Sequence, residues 1–398
     1  MQKLREVVIA SSARTAIGSF NGVFRDIPAT KLGSIVTKAV LERAGCDKSH
    51  VDEVIMGCVL PANLGQAPAR QAALGAGLND SVQCMTINKV CGSGLKSVML
   101  AAQAIMVGDA DVIIAGGMEN MSQTPYYLDR ARFGLKMGHA QILDGMIKDG
   151  LWDVYNDFHM GNAAEICAKE CSISRAEQDE YSEMSYKRAL KAQENGWFKE
   201  EIVPVEIPQR KGDSLVITAD EEPTKVNFEK MKSLRPVFIE DGTVTAANAS
   251  SINDGAAAAL VMSKEKADEL GIKPQVKIVA QASAAKEPVN FTIAPTDAIN
   301  RVLKKANLTT NDIDLYEINE AFAVVSLINN KLLGLRLDKV NVHGGAVALG
   351  HPIGASGARI LTTLIYAMKH LDKKLGLASL CIGGGEASAL IVENIGRN

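Results

Sequence analysis

The sequence predicts an α/β fold built in layers, and three observations point there. β-branched runs alternate with longer amphipathic stretches. Similar segments recur once along the chain, roughly 260–270 residues apart. Glycines gather where strand-like runs give way to helical ones. Expected strands cover residues 6–11, 53–59, 111–115, 276–280, 315–318 and 377–382, each short and apolar. Expected helices cover 29–44, 94–106, 163–171, 175–195, 295–306, 321–333 and 355–369. Ser174-Arg175-Ala176-Glu177 reads as a capping box opening the helix at 175.

The repeat is specific. Val54 in DEVIMG matches Leu315 in DIDLYE, Ser93 in SGLK matches Ser356 in SGAR, Gly116 matches Gly383, and Val7 matches Lys277. The offsets are 261, 263, 267 and 270. Residues 1–121 and 275–398 therefore read as related halves. The stretch 122–251, richer in charge and aromatics, has no counterpart.

Composition narrows the function. Of 398 residues, 47% are hydrophobic and 22% charged, the balance of an ordinary globular chain of two or three domains. Lys+Arg (43) nearly cancels Asp+Glu (46), so no basic excess is available for nucleic acid. No apolar run is expected to reach the ~18 residues that span a bilayer, so no membrane partner is expected. VVIASSA after Glu6 reads as a buried strand rather than a signal peptide, and the closing Gly396-Arg397-Asn398 is not a peroxisomal tripeptide. Seven scattered cysteines form no disulfide framework, and a reducing cytoplasm is the expected setting. Cys167 and Cys171 stand four apart without a second ligand pair at zinc spacing, so no metal site is expected.

Four blocks can carry chemistry. Cys91, in NKVCGSGLK, sits between a strand and a helix start, where free N–H groups and the helix dipole favour thiolate; the plain alternative is a buried structural thiol. His351 stands in NVHGGAVALGHPIGASG, an apolar, glycine-rich segment suited to a loop closing on a ligand. Cys381 ends a strand and is followed by Gly383-Gly384-Gly385, whose N–H groups can face developing negative charge. Asn319 lies at a strand-to-helix junction in YEINEAF, where a helix cap is the rival reading. The glycines do not form a dinucleotide fingerprint.

Together with SARTAIG, GGMENMS and NASSINDG, these blocks resemble the thiolase family over essentially the whole chain, most closely its biosynthetic acetyl-CoA acetyltransferases. The resemblance implies duplicated βαβαβαββ halves in a five-layer α/β/α/β/α sandwich. It assigns 252–274 to the first half and makes 122–251 an inserted loop domain for CoA binding and tetramerisation. It implies Cys91 as the acylated nucleophile, His351 as acceptor of its proton and Cys381 as acid/base. His351 and a water held by Asn319 would serve the enolate oxygen, and the N–H groups of Cys91 and Gly383 the tetrahedral oxyanion. His159, Met160, Phe238, Ser250, Ala321 and Phe322 would contact CoA. The implied reaction joins two acetyl-CoA into acetoacetyl-CoA and CoA, with CoA as substrate and product and no separate cofactor.

The chain departs from the family pattern in three places. DEEPTKV at 220–226 lacks the arginine common near there, leaving Lys225 for the nucleotide end, and Ala163 and Ser251 stand where Thr and Gly are common. The aromatic-rich 122–145, with Tyr126, Tyr127, Arg130, Arg132 and Phe133, is similar to the loop that builds a dimer of dimers. The alternative is a degradative 3-ketoacyl-CoA thiolase of broader chain length, from which His159-Met160 argues away. A ketoacyl synthase would be expected to use two histidines and no second cysteine.

Overall fold

The computed structural model describes residues 4–209 and 211–396; Met1–Lys3, Arg210, Arg397 and Asn398, with part of the C-terminal tripeptide and the ends of the two outer spans, lie outside the described residues. The elements that place the site are β1 (Val7–Thr15), α1 (Ala29–Ala44), β2 (Glu53–Gly57), α2 (Pro68–Gly75), β3 (Gln83–Ile87), α3 (Ser93–Val107) and β4 (Val112–Asn120). A short hairpin, β5 (Tyr126–Leu128) with β6 (Ile142–Asp144), precedes α4 (Met160–Glu170) and α5 (Arg175–Glu194). The chain continues through β7 (Asn253–Ser263), β8 (Val276–Ala285), α6 (Ala294–Ala306), β9 (Leu315–Ile318), α7 (Ala323–Leu333), α8 (Ser356–His370), β10 (Leu375–Ile382) and β11 (Glu386–Asn394).

Hydrogen-bonded strand order is β9-β10-β11-β8-β1-β7-β4-β2-β3. The centre is the β1–β8 pair, joined through only Val8↔Lys277 and Ile9↔Val276. The order reads alike outward from that junction: two antiparallel partners, then parallel strands at the edge. Alternation along the strands explains the layers. Val8, Val54 and Ile114 face a core shared with Leu32, Val36 and Ala72 of α1 and α2. Val7, Ile9, Ile55 and Ile113 face the opposite way, onto Leu95 and Val98 of α3 and Ile360 and Leu364 of α8. The same middle core takes Ile278, Leu380 and Leu390 of the second sheet, whose other face packs Tyr316, Leu377 and Ile391 on Ile299 and Val302 of α6. The result is the five-layer α/β/α/β/α sandwich of the expectation.

Three sequence expectations need correction. The window Val90–Val107 has mean hydropathy 1.5 over 18 residues and does meet the length and composition of a membrane span. In the fold its helical part is α3, which turns Leu95, Val98, Met99 and Ile105 into the middle layer while Val107 at its end is exposed, the pattern of a core helix. The Gly116–Gly383 match is out of register. Val54 pairs with Ile114 and Leu315 with Gly376, so with the Val54–Leu315 match as anchor Gly116 falls at Ala378, five residues before Gly383. The helix expected from 321 starts at Ala323, because Phe322 remains extended and bridges Ala249. The capping box at Ser174 is present, with Glu177 accepting from the Ser174 N–H at 2.7 Å.

α3 and α8 cross at glycines. A Cβ on Gly357 would lie 2.2 Å from the Leu95 backbone nitrogen, and one on Gly94 would lie 2.8 Å from that of Ala358. Gly357→Ala is expected to cost about 2–3 kcal/mol, since backbone cannot yield as a side chain can. A urea titration reads this as a lowered midpoint at unchanged slope; an unmoved midpoint would show that the two helices part freely.

Candidate active site

Cys91 is aimed by a strained turn. Val90, β-branched, holds φ +45°, a conformation that costs of order 1–3 kcal/mol and persists only where neighbours fix it. They do so here: Asn88 Oδ1 accepts from the Val90 N–H at 2.9 Å, and Ser93 Oγ accepts from the Lys89 N–H at 2.8 Å while donating to the Val90 carbonyl at 2.7 Å. Cys91 follows, one residue before the Gly92 N-cap of α3. The expected thiolate is not the resting state. Burial pushes the Cys91 thiol up to about 11, against the opposing pull of the Gly383 N–H and its own N–H. Desolvation outweighs the helix terminus.

His351 ends the loop after α7, where its N–H donates to Asn253 Oδ1 at 2.8 Å. Its ring lies between two polar side chains, with Nδ1 2.6 Å from Ser356 Oγ and Nε2 3.5 Å from Asn319 Nδ2. Burial, with a smaller push from the Arg359 cation, pulls its pKa down to about 3, so the ring is neutral at pH 7. Asn319 is not a helix cap. It continues β9 in extended form, its N–H donating to the Ser379 carbonyl at 3.0 Å, and it stands behind His351 rather than on the cavity wall.

Cys381 lies at the end of β10, 1% exposed. Burial first, then the adjacent Cys91 sulfur, hold its thiol well above the ordinary range. Gly384 and Gly385, both at φ +87°, turn the chain back into β11 and leave Gly383 beside Val90 and Met160.

A cavity of about 280 Å³ joins these groups: Cys91, His351, Cys381 and Gly383 share its wall with His159, Met160, Phe238, Ser250, Ala321 and Phe322. His159 caps α4, its Nδ1 accepting from the Gly161 N–H at 3.0 Å, so the neutral ring offers Nε2–H. It stacks on Phe238 at 4.8 Å, and Phe238 meets Phe322 edge-on at 6.2 Å. Ser250 donates to the Ala321 carbonyl at 2.9 Å. Lys225 is the exception. It is absent from the wall, and its ammonium is bonded to Glu221 at 2.9 Å and to Ser19 Oγ.

Sequence reasoning missed other parts. Met121, Leu151, Ile252, Phe291 and Ile353 also line the wall, and as single apolar residues in short turns and loops they carry no periodic signal. Glu119, fully buried, accepts from the N–H groups of Val59, Leu60 and Gly354 at 2.8–3.1 Å, tying the His351 loop to the one after β2. Burial raises its pKa to about 7. A carboxylate inside the apolar run GGMEN was the available signal.

The arrangement suits acyl transfer: a thiol beside a neutral imidazole, a second thiol, and a glycine N–H facing the first sulfur. Known proteins agree. A family model described as thiolase, N-terminal domain, matches residues 7–265, and one described as thiolase, C-terminal domain, matches 272–394. The acetyl-CoA acetyltransferase of Schizosaccharomyces pombe is 52% identical over 391 residues, covering 98% of this chain and 99% of that protein. The crystal structure of the Bacillus anthracis acetyl-CoA acetyltransferase superposes with a TM-score of 0.97 at 40% identity, covering 99% of this chain and 100% of that one. A thiolase of Ascaris suum in complex with coenzyme A gives a TM-score of 0.93 at 42% identity, covering 98% and 100%.

Proposed function

The chain belongs to the thiolase family, and from that premise we propose that it is an acetyl-CoA C-acetyltransferase, joining two acetyl-CoA reversibly into acetoacetyl-CoA and CoA. The observation that carries this is the meeting of Cys91, His351, Cys381 and Gly383 on one cavity. A cycle follows in which every proton is accounted for. Cys91 gives its proton to His351 and attacks the thioester carbonyl, and the departing CoA sulfur takes the proton of Cys381. This leaves acetyl-Cys91, an imidazolium and a Cys381 thiolate. The thiolate removes an α-proton from a second acetyl-CoA, whose thioester carbonyl is weakly resonance-stabilised. The enolate attacks acetyl-Cys91, and the Cys91 sulfur recovers its proton from His351. Raised thiol pKa values fit a resting state in which both sulfurs are protonated.

N–H groups of Cys91 and Gly383 suit the tetrahedral oxyanion, while protonated His351 with an Asn319-held water suits the enolate oxygen. His159, Met160, Phe238, Ser250, Ala321 and Phe322 would line the pantetheine path, and Lys225, paired with Glu221 outside the cavity, would be left for the nucleotide end. The chemistry calls for no cofactor beyond CoA. A reducing cytoplasm belongs to the same reading, since both sulfurs must be thiols. So does a homotetramer, supported by the exposed Tyr126, Phe133 and Ile142 on and beside the β5–β6 hairpin.

Thiolysis measured against chain length tests the reading. Activity is expected to be highest on the four-carbon substrate, and a rise from four to eight carbons would favour the degradative alternative. Asn319→Ala is expected to slow condensation about 100-fold while acetylation of Cys91 changes much less. Rapid-quench kinetics separate the two steps, and equal slowing of both would remove Asn319 from the enolate step.

A further inference from the structure

We propose that the first turn of α8 sets the hydrogen-bond polarity of the site: Ser356 keeps the His351 proton on Nδ1, leaving Nε2 as a bare acceptor, and Arg359 turns the Asn319 amide so that its NH2 faces that acceptor. The two residues stand three apart, on one face of the helix. The inference rests on the acetyltransferase reading for its consequences but on donor–acceptor logic for its content.

Ser356 Oγ lies 2.9 Å from the Pro352 carbonyl and 2.6 Å from His351 Nδ1. A carbonyl only accepts, so the single hydroxyl hydrogen goes to Pro352. What remains toward the imidazole is a lone pair, and Nδ1 must donate to it. A neutral ring carries one proton, so Nε2 has none. Asn319 is read in the same way. Arg359 Nη2 lies 3.4 Å from its Oδ1, and a guanidinium only donates. The amide oxygen therefore faces Arg359, and Nδ2 faces His351 Nε2 at 3.5 Å. The two assignments, made from opposite sides, agree: a donor meets an acceptor.

Arg359 is otherwise hard to explain. It is 2% exposed, its Nε and Nη1 have no hydrogen-bond partner, and the nearest carboxyl, Glu317, stands 3.6 Å away with its pKa raised by burial to about 8. A buried cation so sparsely bonded contributes little to stability compared with an apolar side chain of similar volume. Holding a neighbouring amide in one orientation is a role that an apolar residue cannot take. Ser356 and Arg359 are positioning residues, acting through His351 and Asn319.

Neutron diffraction from crystals of the deuterium-exchanged full-length protein reads both orientations directly. A deuteron on His351 Nδ1, none on Nε2, and two on the Asn319 atom facing the ring are expected. A deuteron on Nε2, or an amide oxygen facing it, overturns the proposal whatever any variant does. In solution, Ser356→Ala is expected to slow acetyl uptake by Cys91 about 100-fold with KM unchanged, with recovery in Ser356→Thr. The paired change Glu317→Gln with Arg359→Met, which removes the buried cation together with its nearest carboxyl, is expected to slow condensation to the level of Asn319→Ala, and adding Asn319→Ala is expected to change nothing more. Additive losses, or a raised KM at unchanged kcat, count against it. Absence of an acetyl adduct in the wild-type protein would instead sink the acetyltransferase reading and leave the neutron result standing.

Discussion

Cys91→Ala incubated with acetyl-CoA is expected to gain no acetyl group by mass spectrometry, and its turnover to fall by at least about 10⁴-fold. The expectation follows from where the sulfur sits. The Val90 turn points Cys91 into the cavity, facing the Gly383 N–H, with neutral His351 on the same wall. Cys381 cannot substitute, because it is 1% exposed and its thiol is held still further from ionisation. The fold itself is not at risk, since the turn is held by Asn88 and Ser93 rather than by the thiol. A label that persists in Cys91→Ala would show that another group is the nucleophile.

The same assignment fixes a pH profile for wild-type acetylation. The thiol loses its proton only toward about 11 and the imidazole gains one only toward about 3, so the reacting pair is neutral throughout pH 5–9. The rate of acetyl uptake is expected to be level there and to rise only at the alkaline end. A fall through a midpoint near 6.5, the value of an ordinary exposed imidazole, would mean that His351 is solvated when it acts.

What the sequence showed of this molecule, and what it hid, separates by range. Ala29–Ala44 and Leu315–Ile318 have the boundaries expected of them, because amphipathic period and β-branching are local signals. Asn253–Ser263 was invisible as a strand: its core is four alanines and a leucine, poor in β-propensity, chosen because both faces are buried between layers. Phe322 looked helical and is extended, because Ala249, 73 positions earlier, bridges it. The catalytic set was legible as glycine-rich breaks after strands, yet the ionisation of Cys91 was misjudged. The helix terminus is read from neighbours in sequence, whereas the desolvation that outweighs it comes from the whole fold. The Lys225–Glu221 ion pair was likewise not read from the sequence, since a charge in a plausible place says nothing of its partner.

Cys381→Ser divides the cycle in two. Acetyl-Cys91 is expected to form and accumulate, while release of acetoacetyl-CoA falls by about 10³–10⁴-fold. The substitution preserves shape: the side chain is buried at the end of β10, where an oxygen replaces sulfur with little change in volume. It removes acid–base capacity, because an alcohol neither yields a proton to a leaving thiolate readily nor becomes the base that takes an α-proton. The two halves feel this loss unequally. CoA leaves as a thiolate of ordinary thiol acidity, near 8.5, and can depart unprotonated with modest slowing. The α-carbon has no such escape, since removing its proton requires a base in place, and the sheltered position of residue 381 keeps bulk water from serving as one. Quenched-flow mass spectrometry of the adduct beside product formation measures both halves in one sample. Equal loss of adduct and product would mean that the first transfer depends on the Cys381 proton as heavily as the second depends on its thiolate, and the division of labour between the two sulfurs would have to be abandoned.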